Sequence, residues 1–286
     1  MTAPVSLLSA VRSLAPHVKT PAQYLGGEWN IVRKDPAAVS GRIALCYPDT
    51  YEVGSSHNGL QVLYHVVNAQ PHLAAERCFT PWVDMADLMR ARGVPLFTIE
   101  NHLPVRDFDV LGITLQTELT YANVLETLSL AGIPLRAGAR GRGDPVVIAG
   151  GHGAHSPEVL AEFVDAFLPG DGEEVIVPFL EFVAARRREM PREELLHDVA
   201  RSFPWAYVPS MYEPAADGRN GPFRGLTPRF ADVPSRVKGA SVFDFSSVPM
   251  ATRPVVPTVR TVQERISLEI MRGCTRGCRF CQAGMI

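Results

Sequence analysis

The sequence predicts an α/β protein built on an open, mainly parallel sheet with helices on both faces. Three observations carry that expectation. Short continuous apolar runs have the length of strands buried on both sides, stripes of helical spacing lie between them, and compact joints rich in Gly, Pro, Ser and Asp connect the two. Strand and helix alternating through short loops call for right-handed crossovers in one sheet. The 286 residues allow one large domain, or two with a connector. A composition of 46% hydrophobic and 20% charged residues supports a sizeable core and excludes wholesale disorder.

Residues 1–40 read as a lead-in segment, weakly amphipathic and then broken by PAQYLGGEWN and RKDPAAVSG, which are rich in turn formers. Residues 43–46 form the first buried strand, closed by Pro48 and Asp49. Leu60, Leu63, Tyr64 and Val67 recur at i, i+3, i+4 and i+7, so a helix follows the capping-prone Gly54, Ser55 and Ser56. Residues 77–79 suggest a short strand, 82–92 a helix closed by Gly93, 95–99 a strand or edge piece, and 110–115 a further strand. Tyr121, Val124, Leu125 and Leu128 stripe the next helix, ended by Gly132 with Pro134 beyond it. Residues 146–149 are a strand running into Gly150 and Gly151, and Ser156-Pro157-Glu158 is a helix start, with proline in the first turn. Residues 165–168 make the last strand of the series. Ile176, Phe179, Leu180 and Val183 stripe the helix after it, in which Pro178 requires a kink or a later start. This α/β domain is expected to span 41–204. Over 205–262 periodicity fades into a linker with hairpin elements, including apolar pieces at 206–208 and 242–245 and the prolines Pro249, Pro254 and Pro257. A strand at 266–271 then leads into MRGCTRGCRFCQAGMI.

Ligands of open parallel sheets sit at the carboxyl ends of the strands. Four loops of unusual chemistry fall there: CYPDTYEVGSSHNG (46–59), TLQTELTYAN (114–123), AGGHGAHSPE (149–158) and LPGDGEE (168–174). Their glycines permit close backbone approach, and helix starts behind them favour a negative group such as phosphate. The plainer reading is that Gly150, Gly151 and Gly153 serve only a tight strand-to-helix turn, and that His152 and His155 are satisfied loop histidines. No G-x-G-x-x-G follows the strand after Arg42, so a dinucleotide fingerprint is missing from its place. RAGARGRGD (136–144) reads as a solvated loop, and residues 186–188 as the polar end of a helix.

The net charge of −2 and pI near 6.5 give no general electrostatic grip on nucleic acid or on an acidic membrane surface. No run approaches 18 apolar residues and the start lacks a signal-peptide pattern, so the expected location is the cytoplasm. Five unevenly placed cysteines are not a disulfide framework: Cys46 and Cys78 are isolated, whereas Cys274, Cys278 and Cys281 fall within eight residues.

That cluster has the form Cys-x3-Cys-x2-Cys, with Phe280 before the last cysteine and Gly273 and Gly277 freeing the loop to wrap. Three thiolates are too few for a closed structural zinc site, and no histidine follows His197. A 4Fe-4S cluster usually takes four cysteines, so three leave one iron open to a substrate or cofactor. Arg272, Arg276 and Arg279 offset the negative charge of such a group, with plain surface solvation as the alternative for each.

The cysteine spacing, placed after ISLEIMRG, resembles the radical S-adenosylmethionine superfamily. The resemblance implies that Cys274, Cys278 and Cys281 bind three irons of a 4Fe-4S cluster and that S-adenosyl-L-methionine chelates the fourth. Electron transfer, from a donor such as flavodoxin or ferredoxin, then cleaves the sulfonium to a 5'-deoxyadenosyl radical. VVIAGGHGAHSPE, DAFLPGDGEE and CYPDTYEVG resemble the cobalamin-binding, flavodoxin-like (Rossmann-like) domain that precedes the partial (β/α) barrel in one large branch. With YLGGEWN, the likeness extends over roughly residues 20–286, to an uncharacterised bacterial branch. It implies cobalamin against Gly150, Gly151, His152, His155, Gly170, Asp171, Gly172 and Glu173, with methyl transfer as the favoured outcome. The Asp-x-His-x-x-Gly motif of other cobalamin proteins is absent, so binding would not use that histidine. Residues 263–286 correspond to the first strand and cluster loop of a truncated barrel, whose later strands are missing. The chain is therefore expected to be the N-terminal part of a longer enzyme, inactive alone.

Two other readings stay open. A non-catalytic flavodoxin-like binding module with a structural metal knuckle would carry zinc and no labile sulfide. An RNA-modifying methylthiotransferase would need three further cluster cysteines upstream, where only Cys46 and Cys78 are available.

Overall fold

In a computed structural model, which describes residues 5–216, 222–244, 246, 248, 251–265 and 267–281, the apolar runs form one sheet and the stripes its covering helices. The elements in chain order begin with α1 (Leu8–Leu14), β1 (Gly41–Tyr47), α2 (Tyr51–Gly54), α3 (Asn58–Asn68), β2 (Leu73–Phe79) and α4 (Val83–Arg92). They continue with β3 (Val110–Thr114), α5 (Tyr121–Leu130), β4 (Val146–Gly150), β5 (Ala166–Leu168), α6 (Ile176–Arg186), α7 (Arg192–Ser202) and the hairpin β6 (Tyr212–Ala216) and β7 (Phe223–Pro228).

The sheet runs β2-β1-β3-β4-β5 with every pairing parallel. Strand order reverses between β1 and β3, the switch point of a doubly wound, Rossmann-like domain. Side chains alternate across the sheet. A Cβ on Gly41 would meet Leu180 and Ala184 of α6, whereas the Cys46 sulfur lies 4.0 Å from Thr127 Oγ1 of α5. Helices thus cover both faces, and β1 and β2 are buried along their whole length. The sheet edges are closed as well. Ile99 N donates to Arg77 O beside β2, and Phe167 and Tyr207 exchange bonds of 2.7 and 2.9 Å beside β5.

Several expectations need correction. The strand at 77–79 begins four residues earlier, at Leu73, its first half hidden in the sequence by two alanines and Glu76. Of the two readings of residues 95–99, the edge piece holds and the strand does not: they double back on 103–105 through a single bridge, Phe97 to Pro104, and only Ile99 reaches β2. Ser156-Pro157 opens no α-helix. The β4–β5 crossover consists of the short 3-10 turns His152–His155 and Pro157–Leu160, closed by bonds such as Ala154 N to Gly151 O. Pro178 neither kinks nor delays α6, because it is the third residue, where no intrahelical N–H bond is lost. Helix α7 is an addition to the expected elements. RAGARGRGD is not simply solvated: Arg140 is buried on Asp165, and the Arg187 of the expected polar helix end is buried on Asp109. Asp165 and Asp109 also accept from Val147 N and Arg42 N, so these pairs staple the amino edge of the sheet.

No strand forms over the described residues 267–271, and Leu268 and Ile270 are exposed. A strand requires a paired neighbour. Ile266, Phe245 and Pro249 of the expected elements, and residues 282–286 of the last motif, lie outside the described residues. No helix among the described residues is long and apolar enough to cross a membrane.

Candidate functional site

The four loops singled out by composition meet at the carboxyl edge of the sheet. After β1 the chain turns through Asp49 and α2 to His57, which caps α3: its Nδ1 accepts from Leu60 N at 3.1 Å. That acceptor role requires a neutral ring with its proton on Nε2. Burial pushes the imidazole down to about 4; the neighbouring His152 pushes the same way, and a hydrogen bond with Gln116 opposes it. His155 is also lowered, by desolvation and then by His152. His152 therefore lies within electrostatic reach of His57 on one side and of His155 on the other, and His57 meets Gln116.

The glycines of these loops have identifiable neighbours. Gly151 adopts φ +93, and a Cβ there would stand 2.7 Å from Leu115 O. A Cβ on Gly153 would be 2.8 Å from Leu115 Cβ. These residues let the loop after β4 close on the end of β3, where Gly153 N donates to Leu115 O. Gly170, with φ +94, lies against Ala240, whose carbonyl oxygen would be 2.0 Å from an added Cβ. Ala240 N donates to Pro169 O and Asp171 N to Ala240 O, both at 2.9 Å, while Val242 N donates to Asp171 Oδ2 at 2.8 Å. Gly172 packs on Leu63.

A second stretch of the expected linker crosses the other end of the same edge. Val256 N donates to Trp29 O, Val255 N to Gln61 Oε1, Thr258 N to the Tyr51 hydroxyl and Val262 N to Glu52 O. Beneath it, the Tyr51 hydroxyl donates to Glu28 Oε1 at 3.0 Å. Glu28 in turn receives Arg77 Nη2 at 2.8 Å, and Arg77 Nε reaches Glu100 at 2.7 Å. All three charged side chains are at most 1% exposed.

The chain then returns to the loop after β5. Arg272 Nη1 bonds Asp171 Oδ1 at 2.8 Å, its Nε bonds Glu269 Oε1 at 2.8 Å, and its Nη2 reaches both Glu173 and Glu269. Two residues on, the cysteine segment begins. Gly273 and Gly277 take φ +73 and +62, and Cys281 N donates to Cys278 O at 3.0 Å. Cys274 and Cys278 are exposed and Cys281 is half-buried. Among the described residues no three His, Cys, Asp or Glu side chains stand together as a metal site, so the thiols are carried on one turn-rich segment without converging.

The donor set fits an iron–sulfur cluster: three thiols on a segment with left-handed glycine turns at 273 and 277. The loops nominated for cobalamin show no comparable cradle. Gly151 and Gly170 face this chain's own backbone, and Asp171 and Glu173 are engaged by Arg272. A separate cleft of about 290 Å³ opens between the ends of β1 and β2 and the helices α4 and α5, lined by Asp49, Thr50, Thr80, Trp82, Arg90 and Asn123 among others.

The structure thus brings Asp171 and Glu173 to the cysteine segment, and His152 within electrostatic reach of both His57 and His155. It does not bring the 149–158 loop to the cysteines through any hydrogen bond among the described residues. Sequence reasoning missed His57, whose only signal was its place before a helical stripe, and Arg272 as a partner of the acidic loop, for which local sequence carries no signal.

The family described as "Radical SAM proteins, N-terminal" matches residues 59–209. No curated protein matches the chain. Among solved structures, the chain is similar to the radical S-adenosylmethionine methyltransferase TsrM from Kitasatospora setae, solved with tryptophan substrate and the SAM analogue aza-SAM. The TM-score is 0.34 and the identity 12%, over 50% of this chain and 26% of that one.

Proposed function

Because the chain belongs to the family of radical SAM protein N-terminal regions, we propose that it works as part of a radical S-adenosylmethionine enzyme. The observation that carries this reading is the Cys-x3-Cys-x2-Cys segment that follows the family region in the same chain. Cys274, Cys278 and Cys281 would hold the 4Fe-4S cluster. With S-adenosyl-L-methionine bound, the cluster supplies one-electron reductive cleavage of the sulfonium, the electron coming from a reduced flavodoxin or ferredoxin in the cytoplasm. The chain's own residues carry the rest. Gly273 and Gly277 let the segment turn back on itself, and Arg272 ties it to the sheet.

Cobalamin at the carboxyl edge and methyl transfer as the outcome extend this proposal. They are supported by the strand order and by the motif resemblance, and the cluster chemistry does not depend on them.

The test is anaerobic purification with iron, sulfide, zinc and cobalt analysis. The expected result is about four iron and four sulfide per chain, lost in Cys278→Ala and retained in Cys46→Ala, since Cys46 is buried in β1. Stoichiometric zinc without sulfide would replace the enzyme reading with a metal knuckle. Equal loss in both variants would overturn the ligand assignment.

A further inference from the structure

We propose that Arg272 is a positioning residue, a latch that holds the cysteine segment on the acidic loop after β5. One guanidinium meets three carboxylates: Asp171 and Glu173, 101 and 99 residues away in sequence, and Glu269 on its own segment. A planar fork of five donors meets such a set with a pre-organised geometry, whereas an ammonium offers three donors from a single atom on a flexible stem. Its partners are held in advance. Asp171 is fixed by Val242 N on its other oxygen and by its own N–H on Ala240 O, and the Glu173 side chain is 7% exposed.

The surroundings make the latch matter. Leu268, Ile270 and Met271 are exposed, and no strand pairing restrains 267–271, so apolar packing does not fix this stretch. The ion pairs of Arg272 with Asp171 and Glu173 reach from it to the sheet domain. Arg272 also interposes a positive charge between two carboxylates and a segment of three thiols, which repel one another once ionised.

The latch is a property of the metal-free chain, and only its consequence for a cluster rests on the proposed function. Hydrogen exchange on the metal-free chain tests it. In Arg272→Gln, the hydrogen-bonded amides beside the latch, Cys281 N on Cys278 O and Val242 N on Asp171 Oδ2, are expected to exchange about tenfold faster than in the parent, the loss of at least one strong charged hydrogen bond. Arg272→Lys restores only part of the protection. Glu173→Gln combined with Arg272→Gln exchanges no faster than Arg272→Gln alone, because both remove one interaction.

Unchanged exchange in Arg272→Gln, full rescue by lysine, or multiplying effects in the double variant would each overturn the latch. Iron and sulfide analysis of the same proteins separates the two ideas. Protected amides without iron binding would refute the cluster and leave the latch, and iron binding with unchanged exchange would do the reverse.

Discussion

Replacing Gly170 with alanine should release the 239–242 stretch of the linker from the sheet edge. The new Cβ would lie 2.0 Å from Ala240 O and 2.7 Å from Ala240 N, both main-chain atoms that no rotamer change can move. The residue also sits at φ +94, which costs an L-amino acid about 1–2 kcal/mol. If Ala240 gives way, three hydrogen bonds go with it: Ala240 N to Pro169 O, Asp171 N to Ala240 O and Val242 N to Asp171. At about 0.5–1.5 kcal/mol each they add roughly 1.5–4.5 kcal/mol. Freedom regained by the released segment offsets part of this, leaving a loss of about 2–4 kcal/mol. Gly93→Ala is the control, since Gly93 has φ +64 and nothing within 4 Å of its added Cβ. Urea denaturation of both variants, with hydrogen exchange over 238–242, measures the difference. Equal losses with 238–242 still protected would refute the close approach of the two backbones.

Arg77→Met should cost about 3–5 kcal/mol in chemical denaturation, because it leaves Glu28 and Glu100 buried without their cation; a loss below about 1 kcal/mol would refute the dependence of the two buried carboxyls on that cation. His57, held near 4 against an ordinary 6.5, makes stability fall as pH drops from about 6.5 to 4, because the unfolded chain takes up the proton first. The full shift corresponds to about 3 kcal/mol, reduced to roughly 1–2 by partial exposure. His57→Asn, which keeps a capping acceptor, should flatten that part of the pH profile, and an unaltered profile would remove His57 as its source.

What can be read in the sequence is whatever depends on near neighbours. Residues 43–46, 110–115 and 146–149 are apolar because both sheet faces are covered, and strands β1, β3 and β4 form there. Gly93 and Gly132 end their helices in the left-handed conformation, as their positions suggest. What stays hidden depends on distant partners. Nothing in the local sequence pairs Arg77 with Glu28 and Glu100, and Ser156-Pro157 looks like a helix start until Gly151 and Gly153 are found closing on Leu115. The pairing of Arg272 with the acidic loop spans about a hundred residues, beyond any local pattern.

Three motifs that look unrelated along the chain form one polar assembly. Glu28 comes from YLGGEWN, Tyr51 from CYPDTYEVG, and Thr258 from the stretch that leads to the cysteines. Thr258 N donates to the Tyr51 hydroxyl, that hydroxyl donates to Glu28, and Glu28 accepts from Arg77 in β2. The stretch before the cysteines is therefore tied to the inside of the sheet at one end of its carboxyl edge, and by Arg272 to the loop after β5 at the other. Buried charged hydrogen bonds are stronger and more directional than apolar contacts. The chain's own downstream segment is thus held at both ends of the carboxyl edge, so a group bound by the three cysteines would take its place from the sheet.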